Sequence, residues 1–253
     1  MRYIMYQFFV EQGQINVPAK RVFITGKDVN HIKNVLRMKA GEEINVSNGV
    51  DGKEYRCGIL ELSDEQIVCE LRFVKEDGVE LPSKIYLFQG LPKADKMELI
   101  IQKAVELGAC GIIPVETKRC VAKLDAKKAS SKITRWQGIA EAAAKQSKRA
   151  FIPVVEMPVP FREALKRGAN MEMAIIPYEM AEDMEKTREI LGKICPGQEI
   201  AVFIGPEGGF EEAEIEAAKE AGVLPITLGK RILRTETAGL TVLSWLIYLL
   251  EGR

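Results

Sequence analysis

From residue 84 onward short apolar runs alternate with helical segments, and this alternation constrains the fold more than any other feature of the chain. The runs at 85–88, 111–115, 174–176, 200–204 and 225–228 read as strands. Between them lie helical patterns. One starts at Asp95, sets Met97, Ile100, Ile101, Ala104 and Val105 on one face, and stops at Gly108. A long one over 131–149 carries Ile133, Trp136, Ala140 and Ala143. Others fall at 183–191, at 211–221 (stopped by Gly222) and at 237–250. Strands alternating with helices predict a parallel sheet covered on both faces, so this part is α/β. The first 75 or so residues differ. Strand patterns at 3–10, 43–47, 54–62 and 66–73 alternate with turn signals, and one short helix is expected at 28–38 with Asp28 as its N-cap. They predict a small β-rich unit, barrel or sandwich. Residues 75–83, with Asp77, Gly78 and Pro82, read as the linker. The expected division is 1–74 and 84–253.

Composition narrows the chemistry. A single histidine, His31, excludes His-rich metal sites, and no metal is expected. The five cysteines Cys57, Cys69, Cys110, Cys120 and Cys195 are odd in number and form no C-x-x-C pair, which suits free thiols in a reducing cytosol. No targeting segment is expected, and the apolar run 240–250 is too short to span a bilayer, so no membrane partner is expected. That run is apolar nearly all round and predicts a helix buried on most sides.

The formal net charge of +0 conceals local bias. Residues 1–40 carry Arg2, Lys20, Arg21, Lys27, Lys33, Arg37 and Lys39 against Glu11 and Asp28. Residues 118–149 carry Lys118, Arg119, Lys123, Lys127, Lys128, Lys132, Arg135, Lys145, Lys148 and Arg149 against Asp125 and Glu141. Two such stretches are read either as solvated helix faces or as a bipartite surface for a polyanion such as RNA.

In an open parallel sheet, ligands bind beyond the carboxyl ends of the strands. Three strand ends here are unusual: Pro177, Tyr178 and Glu179; the turn Gly205, Pro206, Glu207, Gly208, Gly209; and the stretch 229–237. The glycine turn is neither G-x-G-x-x-G nor a P-loop. The helix after it opens with Glu211, Glu212 and Glu214, which would repel a pyrophosphate at the helix N-terminus. A phosphate-free or cationic ligand fits better, and S-adenosyl-L-methionine has a sulfonium and no phosphate. In the third stretch Arg231, Arg234 and Glu236 adjoin the apolar helix, which Thr235 or Thr237 could cap. Such charges are costly there unless they pair or meet a ligand.

These motifs resemble a known family. FIGPEGGF at 203–210 and LGKRILRTETA at 228–238 resemble the cofactor-binding end of the RsmE-type methyltransferases, ribosomal small-subunit RNA uridine-N3 methyltransferases of the SPOUT superfamily. LPKADKMELIIQKAVELG at 91–108 resembles the family's first helix, and the segment ending AAKQSKR at 143–149 its RNA-side helix. HIKNVLR at 31–37 is similar to the signature of its PUA-like N-terminal domain. Where many members carry Glu before the glutamine of the AAKQSKR segment, this chain has Lys145. The resemblance implies a PUA-like β-barrel followed by a SPOUT domain with a C-terminal trefoil knot, acting as a homodimer on ribosomal RNA or the small subunit. It implies that S-adenosyl-L-methionine contacts Pro177, Tyr178, Phe203, Ile204, Gly205, Pro206, Glu207, Gly208, Leu228, Gly229, Ile232, Leu233, Thr235 and Ala238. RNA contacts are expected at Arg2, His31, Arg37, Lys93, Lys118, Arg119, Lys128, Lys132, Gln146 and Arg149. Chemistry is expected from Arg234, steadying charge on a uracil carbonyl, and from Glu236, less favourably Glu207, or a water as proton acceptor. A non-catalytic RNA-binding ribosome-assembly factor is the alternative. A nicotinamide-dependent oxidoreductase lacks its glycine fingerprint.

Overall fold

The computed structural model describes residues 5–76, 78–121, 124–181 and 183–251. The chain divides into two compact units, one built from residues up to 80 together with Ala144–Ile152, the other from Leu81–Ala143 and from Pro153 onward. A reading by composition alone places 144–152 in the second part. The reason lies in two ion pairs that this segment makes within the first unit, through Lys145 and Arg149.

The first unit contains β1 (Gln7–Phe9), β2 (Ile15–Asn16), β3 (Arg21–Thr25), α1 (Lys27–Asn30), β4 (Glu43–Ser47), β5 (Glu54–Leu62) and β6 (Gln66–Lys75). The strands form one sheet in the order β1-β4-β5-β6-β3-β2, antiparallel except for β1 beside β4. A single sheet around one core of Phe8, Val22, Ile24, Ile32, Ile44, Cys57, Ile59 and Cys69 rules out a two-sheet sandwich. The expected helix at 28–38 is instead α1 followed by a wider π-type turn at His31–Val35, and its N-cap is Gly26. Asp28 does not cap it. The Asp28 carboxylate is buried and accepts from the Lys145 ammonium at 3.0 Å.

The second unit contains β7 (Lys84–Gly90), α2 (Lys96–Glu106), β8 (Gly111–Glu116), α3 (Ala126–Ser147, whose last residues join the first unit), β9 (Val154–Val155), β10 (Val159–Pro160), α4 (Phe161–Gly168), β11 (Met173–Pro177), α5 (Met184–Gly192), β12 (Glu199–Ile204), α6 (Glu212–Glu220), β13 (Leu224–Ile226) and α7 (Thr235–Leu250). The strands run parallel in the order β10-β8-β7-β12-β11-β13, with β9 beside β8. The period of two in a strand sends neighbouring side chains to opposite faces. On β12, Phe203 stacks on Phe88 at 4.6 Å and lies so near Gly168 of α4 that a Cβ there would fall 2.6 Å from its ring. The next residue, Ile204, faces the other way, toward Gly239 of α7. Helices α4 and α6 contribute to the core on the Phe203 face, and α7 packs on β12 and α2.

The order of strands matters for the site. β13 lies at the sheet edge, yet α7 packs on central β12. Residues 227–234 must therefore cross the carboxyl ends of the strands. α7 buries Gly239, Val242, Leu243, Leu246 and Leu250 along one stripe, whereas Ser244 and Tyr248 are exposed. Burial on most sides is not observed within the chain.

Candidate active site

A buried glutamine ties three segments together at the carboxyl end of the sheet. The Gln89 side chain is 0% exposed. Its amide donates to the Thr235 hydroxyl at 2.9 Å and to the Gly90 carbonyl at 2.9 Å, and reaches the Gly205 carbonyl at 3.5 Å. Thr235 in turn donates to the Gly205 carbonyl at 2.6 Å. Thr235 therefore serves as a crosslink and not as a cap. The N-cap of α7 is Arg234, and no side chain caps it. The approach is close: a Cβ on Gly90 would lie 2.7 Å from the Pro206 nitrogen, and one on Gly205 3.1 Å from the Gly209 main chain. Only glycine leaves room for backbone this near.

The neighbouring loops carry the other expected contacts. Tyr178 donates its backbone N–H to the Ile226 carbonyl at 3.0 Å, so the Pro177–Tyr178 turn joins the exit of β13. Gly229, at φ +95, adopts the left-handed backbone and has open space where a side chain would stand. Leu228, Leu233 and Ala238 are half-buried, and Ile232 is 82% exposed. Phe203 and Ile204 turn their side chains into the two core faces, leaving only their backbone to a ligand. These loops present a backbone-lined cradle, and the first turn of α6 beside it carries Glu212 and Glu214. Such a setting disfavours phosphate and suits a cationic ligand, so the residues fit S-adenosyl-L-methionine.

Three charged side chains meet at the edge of this cradle. The Glu207 carboxylate accepts from the Lys93 backbone N–H at 3.1 Å and faces the Lys96 ammonium at 3.1 Å. The same ammonium lies 3.4 Å from Glu236. Burial by itself would raise the Glu207 carboxyl, but hydrogen bonds from backbone N–H groups and Lys96 outweigh it and hold it below the usual carboxylate range. Lys96 is held above the usual lysine value, first by its hydrogen bond to Glu207. Arg231 and Arg234 are exposed, and among the described residues neither pairs with Glu236. Solvent carries the cost of the arginines, so the expectation that they pair or meet a ligand does not follow from burial.

The basic residues divide. Arg2 lies outside the described residues, as does Lys123. His31, Arg37, Lys93, Lys118, Arg119, Lys128 and Gln146 are exposed and Lys132 is half-buried. Arg119 donates to the Gly208 carbonyl at 2.8 Å, and the Lys118 backbone N–H to Glu214 at 2.9 Å, docking this loop on the glycine turn. Lys128 pairs with Asp125, and the Lys132 ammonium sits 5.6 Å from the Trp136 ring. Arg149 is a correction. It is 3% exposed and its guanidinium grips Glu80 at 2.6 Å, so it is not available to a phosphate. Lys145 and Arg135 likewise meet Asp28 and Glu98. Counting acids along the sequence misses partners that arrive from afar. Sequence reasoning also missed Gln89, signalled by one amide closing an apolar strand before glycine, and Lys96.

A parallel sheet with a laced loop cluster at its carboxyl end is the place where open α/β sheets bind ligands, and the class of RNA methyltransferases follows from the family matches. The RNA methyltransferase domain family matches residues 79–247, and the RNA methyltransferase PUA domain family matches residues 24–72. The chain is 38% identical to ribosomal RNA small subunit methyltransferase E of Bacillus subtilis, over 98% of each chain. It is 33% identical to the same protein of Mesomycoplasma hyopneumoniae, over 95% of this chain and 98% of that one. The enzyme from Neisseria gonorrhoeae, solved with S-adenosyl methionine bound, superposes with a TM-score of 0.82 at 32% identity, over 98% of both chains. The chain belongs to the ribosomal RNA small subunit methyltransferase E family.

Proposed function

We propose that this protein transfers a methyl group from S-adenosyl-L-methionine to N3 of a uridine in small-subunit (16S) ribosomal RNA. The observation that carries the reading is the lacing of loops 205–210 and 229–235 through Gln89, beside an acidic helix start, in a chain of this family. When bound, the cofactor supplies a methyl group already activated on sulfur. The chain then has to align the base, exclude water and move one proton. Pro177, Tyr178, the main chain of 203–208, Leu228, Gly229, Leu233, Thr235 and Ala238 would hold the cofactor. Arg234, exposed at the rim, would steady negative charge on a uracil carbonyl, and Glu236 would take the N3 proton.

Lys93, Lys118, Arg119, Lys128 and Lys132, with His31, Arg37 and Gln146 on the first unit, are the residues assigned to RNA. A homodimer and a knotted C-terminal segment belong to the same reading. The first is supported by the exposed side of α7, where a cavity of about 370 Å³ is lined by Met184, Leu191, Trp245, Tyr248 and Leu249. The second is supported by the crossing of residues 227–234 and the Gln89–Thr235 bond. A cytoplasmic location is proposed with them. Among the described residues no helix is long and apolar enough to cross a membrane.

Mass spectrometry of ribosomal RNA nucleosides from cells with and without the gene tests the reading. The N3-methyluridine of small-subunit RNA is expected to vanish in the deletion and return with the wild-type gene. An unchanged level overturns it. Arg234→Ala is expected to slow transfer about a hundredfold or more, as loss of a charge-stabilising donor does elsewhere. Wild-type turnover in that variant removes Arg234 from the chemistry.

A further inference from the structure

The geometry points to Lys96 as a positioning residue that ties down Glu207 and leaves Glu236 as the proton acceptor. This inference rests on the methyltransferase reading above.

The two carboxylates come from different elements, Glu207 from the loop after β12 and Glu236 from the first turn of α7. Left alone they would repel, and either could face the substrate. One ammonium, on the first residue of α2, sits between them at 3.1 Å and 3.4 Å. The two contacts are unequal. Glu207 also accepts from the Lys93 N–H, so its oxygens are engaged from two sides. The Glu236 side chain is only 15% exposed, and its Oε2 is buried without a hydrogen bond although the ammonium is near. A carboxylate saturated with donors is a weak base, whereas one with an oxygen left unmet has a place for a proton. Glu207 is accordingly held below the usual carboxylate range. Among the described residues Lys96 is the one charged side chain in ion-pair contact with either carboxylate. The Lys93 N–H on Glu207 belongs to a turn in which Ala94 holds the left-handed backbone at φ +54, which fixes that donor in place.

In the transfer itself the N3–H bond breaks and its proton passes to a Glu236 oxygen. The N3 electron pair forms the new N–CH3 bond as the methyl–sulfur bond breaks, and that pair leaves with sulfur as a neutral thioether. Lys96 gains and loses nothing.

The test compares wild type, Lys96→Met and Lys96→Arg. In protein without cofactor, NMR of 13C-labelled glutamate is expected to show Glu207 titrating at higher pH in Lys96→Met, since the ammonium is one of the groups that hold its carboxyl down, and close to wild type in Lys96→Arg. Methyl transfer by Lys96→Met should fall about tenfold or more in kcat and Lys96→Arg should recover most of that loss, while calorimetric affinity for S-adenosyl-L-methionine stays within twofold in both. An unmoved Glu207 titration in a folded Lys96→Met, a loss confined to cofactor affinity, or a Lys96→Arg as slow as Lys96→Met overturns the assignment. Wild-type protein that fails to methylate uridine overturns the parent reading instead.

Discussion

Single side chains in this protein do opposite things with the same charge. Lys96 sits between two carboxylates and Arg234 stands exposed, whereas Arg149 is sealed against Glu80, which also accepts the Ala150 N–H at 2.8 Å. Removing one partner strands the other in a poorly solvated place. Glu80→Ala is therefore expected to destabilise the first unit by about 3 kcal/mol, read by denaturant unfolding. Thiol chemistry follows burial in the same way. Burial pushes the Cys57 and Cys69 thiols up to about 12, while Cys195 is exposed. A thiol whose folded value is raised stabilises fully below its unfolded value and loses that contribution as pH rises toward the folded one. Stability should thus decline from about pH 8.5 upward, and Cys57→Ala with Cys69→Ala should flatten that decline in urea titrations at pH 8 to 10. Alkylation of the native protein should mark Cys195 and spare both buried thiols.

Elements show where glycine is required and where it is incidental. At Gly90 a Cβ would strike the Pro206 backbone, so Gly90→Ala should weaken cofactor binding in calorimetry and lower stability by about 1–3 kcal/mol. Gly138 lies within α3 with nothing within 4 Å of its missing Cβ, so Gly138→Ala should raise stability by about 0.5–1 kcal/mol in thermal unfolding. Much of the second unit was legible at this scale. The five strand runs and the helix face of Met97, Ile100, Ile101, Ala104 and Val105 stand where the periodicity put them, because buried strands and amphipathic helices write their burial into the sequence. The glycine turn and the Arg231–Thr237 stretch stood out as the proposed site for the converse reason: most of their residue types do not build a core. What stayed hidden was set by tertiary contact. The Asp28–Lys145 pair spans 117 positions, and no local pattern announces it. Nor could periodicity reveal that Thr235 turns from capping its helix to binding Gly205, or that α7 buries one stripe only.

For the whole molecule, charge and chain order matter more than any one contact. If the exposed cations grip a phosphate backbone, each neutralised contact should reduce the slope of log affinity against log salt by about one. Lys118, Arg119 and Lys128 changed together to Gln should therefore flatten it by roughly two to three in filter binding at several salt concentrations, and an unchanged slope would exclude this face. The first unit likewise draws on Ala144–Ile152, so a fragment ending at residue 80 lacks the Arg149 partner of Glu80 and should show no cooperative unfolding transition. The Gln89 lacing has its own consequence. Its donor, its shared carbonyl at Gly205 and the hydroxyl of Thr235 are separated by up to 146 positions. During synthesis the glutamine waits, its amide unmet, until the ribosome has delivered nearly everything else. A nascent chain halted between Ile226 and Thr235 would carry every strand of the sheet and an open pocket, competent to be recognised by quality control but unable to hold a methyl donor.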